Sequence, residues 1–236
     1  MKNTNRGAGR HSQKPSSRAR ALKIAALAAF VVIVPGCGGN LLGLPAGPAP
    51  DIYTLTPKST FDDNLPKVTW QLVVDQPTAA RGLDTARIAL HPSDTEIKYY
   101  AGARWTDRAP DMVQTLLLES FENTDKIVAV GRQTIGLRSD FDLATDLREF
   151  QAEYTPGSEI PKVRVRLNVK IIKQPRQEII ASQNFERVVD AQGSTVNDVV
   201  LAFDDALGKV LRRVVEWTLV TANESAEQSR LRTRLP

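Results

Sequence analysis

The segment KVRVRLNVKIIK, residues 162–173, alternates more strictly than any other part of the chain. Val163, Val165, Leu167, Val169 and Ile171 fall on one side of an extended backbone, and Arg164, Arg166, Asn168 and Lys170 on the other. Period-two alternation over this length describes a strand with one core face and one wet face, as in an antiparallel sheet. The turn Gln174-Pro175-Arg176-Gln177 then feeds a return strand over 178–189. Immediately upstream, 140–154 is a long polar-apolar segment whose apolar face shifts between Leu147 and Phe150. A β-bulge accounts for that shift.

Farther upstream, DIYTL from Asp51 reads as a first short strand closed by Pro57. KVTWQLVVD (67–75) is β-branched and aromatic, with Val68, Trp70 and Leu72 on one face, and Pro77 ends it. A short turn or helix is expected over 78–85. ARIALHP and IKYYAGARW (97–105) form two more strands, joined as a hairpin through HPSDTE. Ala109-Pro110-Asp111 supplies a helix start, followed by Met112, Val113, Leu116, Leu117 and Phe121 at helical spacing. Residues 126–132 read as a short strand. A helix is predicted over 195–221, capped by Ser194 or Thr195, with an apolar stripe from Val196 to Trp217. Residues 222–236 turn polar and are expected to form a flexible tail. Trp70 and Trp217 are assigned to the core. The fold class is α+β: a mainly antiparallel sheet with a mid-chain helix and a long C-terminal amphipathic helix packed on it.

The front of the chain is of another kind. Seven basic residues and no acidic one precede an apolar run of eleven residues, Ile24 to Val34. A membrane span needs about 20 such residues. A basic n-region, a short apolar h-region and small residues after it describe a secretory signal peptide. Val34-Pro35-Gly36-Cys37 resembles the lipobox of bacterial lipoproteins, in which the chain is cut between Gly36 and Cys37 and the thiol carries a diacylglyceryl group. Cleavage elsewhere and an uncleaved anchor are the alternatives. One acyl chain anchors only marginally, and two or more anchor stably. The implied layout is a signal peptide over 1–36, a lipidated cysteine and Gly/Pro-rich linker over 37–50, a folded body over 51–221 and a tail over 222–236. The linker GGNLLGLPAGPAP reaches at most about 45 Å extended and roughly 20 Å as a flexible coil.

Removing the seven leader bases from 31 leaves 24 against 27 acids, so the net charge changes from +4 to −3. The basic balance therefore belongs to the leader, and nucleic acid is excluded as a partner on this ground. Cys37 is the only cysteine, so no disulfide forms. Of the two histidines, His11 lies in the leader and His91 at a strand end before Pro92. Neither a Cys-His pair nor a Cys/His metal cluster can be assembled. No G-x-S-x-G elbow and no phosphate-cradling glycine motif occurs. Asp62-Asp63 and Asp204-Asp205 are adjacent pairs that do not face one another, and the second is read as solvated charge on a helix flank. The arginines of 162–173 are read as a solvated face or as a surface for an acidic partner. No catalytic residue, metal or cofactor is expected, and the body is read as a non-enzyme. Its rivals are a lipoprotein hydrolase built around His91 and a stand-alone envelope structural protein.

The order of these features resembles a family. Cys37 and a Pro-rich linker precede DIYTL; KYYAGARWTDRAPDMVQTLLLESFENT (98–124) runs through Arg104-Trp105 into a proline-initiated helix; DLREFQAEY (146–154) precedes a hairpin; and the last helix carries VVEW (214–217). This is similar to the auxiliary lipoproteins of ABC-type transport systems, the family of paraquat-inducible protein C. The resemblance implies a membrane-anchored lipoprotein on the periplasmic face, working with a mammalian-cell-entry (MCE) domain protein, a permease and an ATPase to move lipids or other hydrophobic molecules. It offers no catalytic motif. Gly38, where an inner-membrane retention signal would resemble Asp, favours the outer membrane. A homo-oligomer is a further possibility. Tyr53, Tyr99, Tyr100 and Trp105 are the candidate partner or lipid surface, against the ordinary reading of strand aromatics as core.

Overall fold

The computed structural model describes residues 48–133 and 138–234. Gly36, Cys37 and most of the linker lie outside them. The elements are β1 (Asp51–Tyr53), β2 (Leu72–Val74), β3 (Thr78–Ala79), β4 (Arg87–Ser93), β5 (Glu96–Trp105), α1 (Ala109–Glu122), β6 (Val130–Gly131), β7 (Phe141–Glu153), β8 (Lys162–Lys173), β9 (Glu178–Asp190) and α2 (Val196–Arg234).

Strand β7 organises the sheet. One of its edges pairs with β8 along the full length, and β8 pairs with β9. Its other edge is shared in turn by β2, β3 and β4. Strand β4 carries β5, β5 carries β1, and β2 carries β6. The long ladders β7–β8, β8–β9 and the β4–β5 hairpin are antiparallel, and the short additions are parallel. The fold class is α+β, with antiparallel pairing confined to the long strands.

The alternation in β8 is realised fully: Val163, Val165, Leu167, Val169 and Ile171 are all completely buried. The shift in β7 is a bulge, since Leu147 pairs with Leu167 while Glu149 pairs with Arg166, leaving Arg148 as the extra residue. Leu143, Leu147, Phe150 and Ala152 consequently all face the core. Helix α2 supplies Val199, Phe203, Leu207, Val210, Leu211, Val214 and Leu219 to the same core. Its cap is Thr195: Asp198 N donates to Thr195 Oγ1 at 3.2 Å, and Thr195 N donates to the Asp198 carboxylate at 3.3 Å. That reciprocal arrangement is a capping box with Asp in place of Glu.

Three local expectations are corrected. The strand expected over 67–75 shrinks to Leu72–Val74 plus an isolated bridge between Val68 and Ile127. Gln71 N instead donates to Asp140 Oδ2 at 2.8 Å, so a side chain replaces the ladder there. Residues 78–85 form a turn, as one of their two readings had it, after the two-residue β3, while the strand expected over 126–132 shrinks to Val130–Gly131 plus the bridge at Ile127. The stretch expected to be a tail is helical to Arg234. Residues 222–234 contain no Gly or Pro, Ala222 is buried, Ala226 packs on the core, and Lys173 Nζ donates to Ser225 O at 3.3 Å. Trp70 is buried as expected, whereas Trp217 sits half-exposed at the margin, edge-on to Phe185 at 5.4 Å.

Candidate functional site

The four aromatic residues singled out in the sequence do not converge. Trp105 is 1% exposed, its ring 5.2 Å from Phe203 and 5.7 Å from Phe150. It is a core residue, which removes it from any partner or lipid surface: the strand register that places Ala103 inward places Trp105 inward too. Tyr53 stands opposite Trp105 in the β1–β5 pairing and is half-buried. Tyr99 donates its hydroxyl to Gly82 O at 3.0 Å, and the Arg87 guanidinium lies 3.6 Å over its ring, a stacked cation–π contact. Tyr100 shares a 3.0 Å hydrogen bond with the Tyr154 hydroxyl. Burial, then that bond, push the Tyr100 hydroxyl well above the ordinary tyrosine range, so it stays protonated. As sequence neighbours in a strand, Tyr99 and Tyr100 point to opposite faces.

What is exposed at this end is aliphatic. Ile52 of β1 is 58% accessible and Ile97 of β5 is 41% accessible. Strand β1 covers β5 only at Ala103–Trp105, so residues 96–102 have no strand on that side among the described residues. Gly102, at φ 69°, lies in the irregular stretch of β5 that the β4 register skips. A Cβ there would strain the backbone.

The wet face of the β7–β8–β9 ladder is more ordered than its composition suggests. Arg164 Nε donates to Glu153 at 2.8 Å, Arg164 also pairs with Glu186, and Arg166 pairs with Glu149. Asn168 donates to Asn184 at 3.0 Å. These arginines are occupied within the sheet, not held for an acidic partner. Burial works to raise the Glu153 carboxyl, but Arg164 and Gln151 outweigh it and hold it below the usual glutamate range. The signal was present in the sequence as glutamates at period-two positions of β7, but only the register shows which arginine each one meets. Asp204, read as solvated, accepts from Thr56 N at 2.7 Å and from Thr56 Oγ1 at 2.9 Å, tying the chain after β1 to α2. Its neighbour Asp205 pairs with Lys209 at 2.8 Å. His91 lies within β4 opposite Glu153, not in the turn. Among the described residues no group of three or more His, Cys, Asp or Glu side chains is placed to hold a metal, and no helix is long and apolar enough to cross a membrane.

The body is thus a helix-backed sheet whose polar face is internally paired, beginning just after a lipobox-like cysteine. Residues 53–215 match the family model of the ABC-type transport auxiliary lipoprotein component. The chain belongs to that family. The crystal structure of protein XCC0632 from Xanthomonas campestris, labelled DUF330, is 35% identical, with a TM-score of 0.72 over 75% of this chain and 99% of that one. A second solved structure, of an uncharacterized protein, shares the fold alone, at 12% identity and a TM-score of 0.55 over 71% of this chain and 97% of that one. Protein bll6063 of Bradyrhizobium diazoefficiens is 28% identical over 149 residues, which is 63% of this chain but only 39% of that protein. The auxiliary lipoprotein family is matched through α2 only as far as Val215, so the helical stretch beyond it is an extension of the matched region.

Proposed function

We propose that this auxiliary lipoprotein is tethered by a diacylglyceryl group on Cys37, after cleavage between Gly36 and Cys37, and acts without catalysis as a docking component of an ABC transport system. The observation that carries the reading is the join between the two halves of the chain. A lipobox-like cysteine and a linker of thirteen residues, 38–50, lead directly into a body of the auxiliary lipoprotein family at residue 53. In this reading the acylated cysteine fixes the protein to the periplasmic face of the envelope, in the outer membrane as Gly38 suggests. The linker sets the reach, and the body engages an MCE-domain protein together with the permease and ATPase. The cargo class is lipids or other hydrophobic molecules, carried by the complex rather than by a pocket of this protein. Tyr53, with the exposed Ile52 next to it in β1, forms the part of the candidate surface that remains available; Tyr99 and Tyr100 serve chiefly to hold the hairpin. The internal pairing of the polar sheet face supports a structural role for its carboxylates.

The test is a crosslinked pull-down from intact membranes, comparing wild type with Cys37→Ala. Recovery of an MCE protein and ABC components with the wild type, and their loss with the variant, is the expected result. If the wild type sits in the membrane and recovers neither, the transport partnership is wrong for this chain.

A further inference from the structure

Cations are not spread evenly over this net-acidic body. A groove of about 500 Å³ between the β9 edge and α2 is lined by Arg187, Val188, Lys209, Arg212, Arg213 and Glu216: four cations and one carboxylate. Arg212 is paired with Glu216 at 2.7 Å, and Lys209 with Asp205. The other two are uncompensated. Arg187 is exposed with no ion pair among the described residues, and the Arg213 guanidinium lies 5.6 Å over the Phe185 ring with no carboxylate partner there. Val188, although it borders the groove, stands opposite Arg164 in the ladder, so strand parity turns its side chain to the polar sheet face.

This groove is continuous with a second one. Lys209 and Arg212 also line the hollow formed by Thr56, Pro57, Lys58 and Ser59 against α2, where Leu201 is 60% exposed; its two carboxylates are spent locally, Asp204 on Thr56 and Asp205 on Lys209. That hollow lies on the segment that follows β1, where Asp204 ties the chain to the helix. The segment that follows β1 and the cationic surface therefore share one side of α2. Cations interleaved with exposed aliphatic side chains suit an anionic lipid surface better than a soluble anion, because the aliphatic groups enter the interface while the cations meet headgroup phosphates.

We propose that Arg187, Lys209, Arg212 and Arg213, with Lys58 and Leu201, form a second contact between the body and the anionic headgroups of the bilayer that holds Cys37. The inference rests on the membrane-anchor reading of Cys37 for its geometry. The acyl chains supply attachment. The cationic groove supplies orientation, laying α2 against the bilayer and presenting the opposite, polar sheet face to the periplasm.

The experiment uses residues 38–236, which lack the basic leader yet include the whole buried core, Leu55 to Ala222. Co-sedimentation is measured with phosphatidylcholine vesicles and with vesicles containing phosphatidylglycerol, for the wild type, Arg187→Gln/Arg213→Gln and Lys170→Gln. Each cation near an anionic leaflet alters binding by roughly fivefold, so the double variant is expected to lose about 25-fold on the anionic vesicles. Lys170→Gln, on the far sheet face, is expected to match the wild type. Binding should also weaken as salt rises from about 50 mM to about 300 mM. Equal or absent binding to both vesicle types, or an unaffected double variant with an intact circular dichroism spectrum, overturns the proposal. Inorganic phosphate, titrated separately, distinguishes the sources: saturable phosphate binding without vesicle binding also overturns it. Wild-type protein that still fractionates with membranes through Cys37, while 38–236 ignores anionic vesicles, leaves the anchor standing and defeats only this second contact.

Discussion

At the scale of single residues, burial separates side chains that look equivalent in the sequence. Trp105 and Tyr100 both lie in β5, yet Trp105 closes an aromatic cluster with Phe150 and Phe203, in which Phe150 and Phe203 are themselves 4.9 Å apart. Trp105→Ala is expected to cost about 3–5 kcal/mol in a urea titration. Trp105→Phe should cost far less, because among the described residues the indole Nε1 has no hydrogen bond to lose. The Arg164–Glu153 pair gives a pH dependence of definite sign. The folded Glu153 pKa is depressed, so its contribution is full above the unfolded glutamate value of about 4.3 and is lost as pH falls through the lower, folded value. Arg164→Gln is therefore expected to flatten the acid limb of a melting-temperature profile between about pH 5 and pH 3, leaving the Arg164-dependent difference largest near neutrality. Asp75 has the opposite sign: desolvation first, then Asp142, raises its carboxyl, so it detracts from stability at neutral pH and the loss is relieved on acidification. The Arg164 test thus compares two curves instead of reading one.

At the scale of elements, most of what was legible came from period. The alternation of β8 and the 3.6-residue stripe of α2 each depend on one local geometry, and both are present as read. The β7 bulge was legible too, because an extra residue leaves a phase jump that no other local feature explains. What failed were short elements. Val68 and Trp70 are buried as read, but the continuous ladder starts only at Leu72, because Gln71 N goes to the side chain of Asp140, which is distant in sequence. The end of α2 failed for a related reason: polar composition was taken for a tail, although Ala222 and Ala226 keep a thin apolar line, Lys173 reaches across to it, and its Arg230 donates to Thr69 Oγ1. Truncation after residue 222 is expected to leave the fold intact and to lower stability by about 1–2 kcal/mol, through lost hydrogen bonds at a partly exposed surface. A drop in the urea midpoint at unchanged slope is the expected signature. A collapse of the near-ultraviolet spectrum would instead make the extension part of the core.

At the scale of the whole molecule, one core runs from Leu55 to Ala222 and takes side chains from both helices and the sheet. Residues 48–236 are accordingly expected to unfold in a single cooperative transition, with coincident far- and near-ultraviolet melts and the same midpoint as residues 38–236. Two transitions would show that the β1–β5 end is a separate unit. The family was also legible, since the cysteine, linker, proline-initiated helix and final hairpin follow one another in a set order that a linear reading can follow. The surface was not. Trp105 lost its candidate role because strand parity had to be combined with where α2 lies, and the arginines of β8 because their glutamates come from strands on either side. The cationic groove joins Arg187 to Arg213 across two elements and had no signature in the chain. Sequence by itself determined the secondary periods, the α+β class and the family likeness, because each is a matter of neighbours along one chain. Only the tertiary structure decided which charges are spent on each other and which stay free for a partner, because that depends on register and packing between residues far apart in sequence.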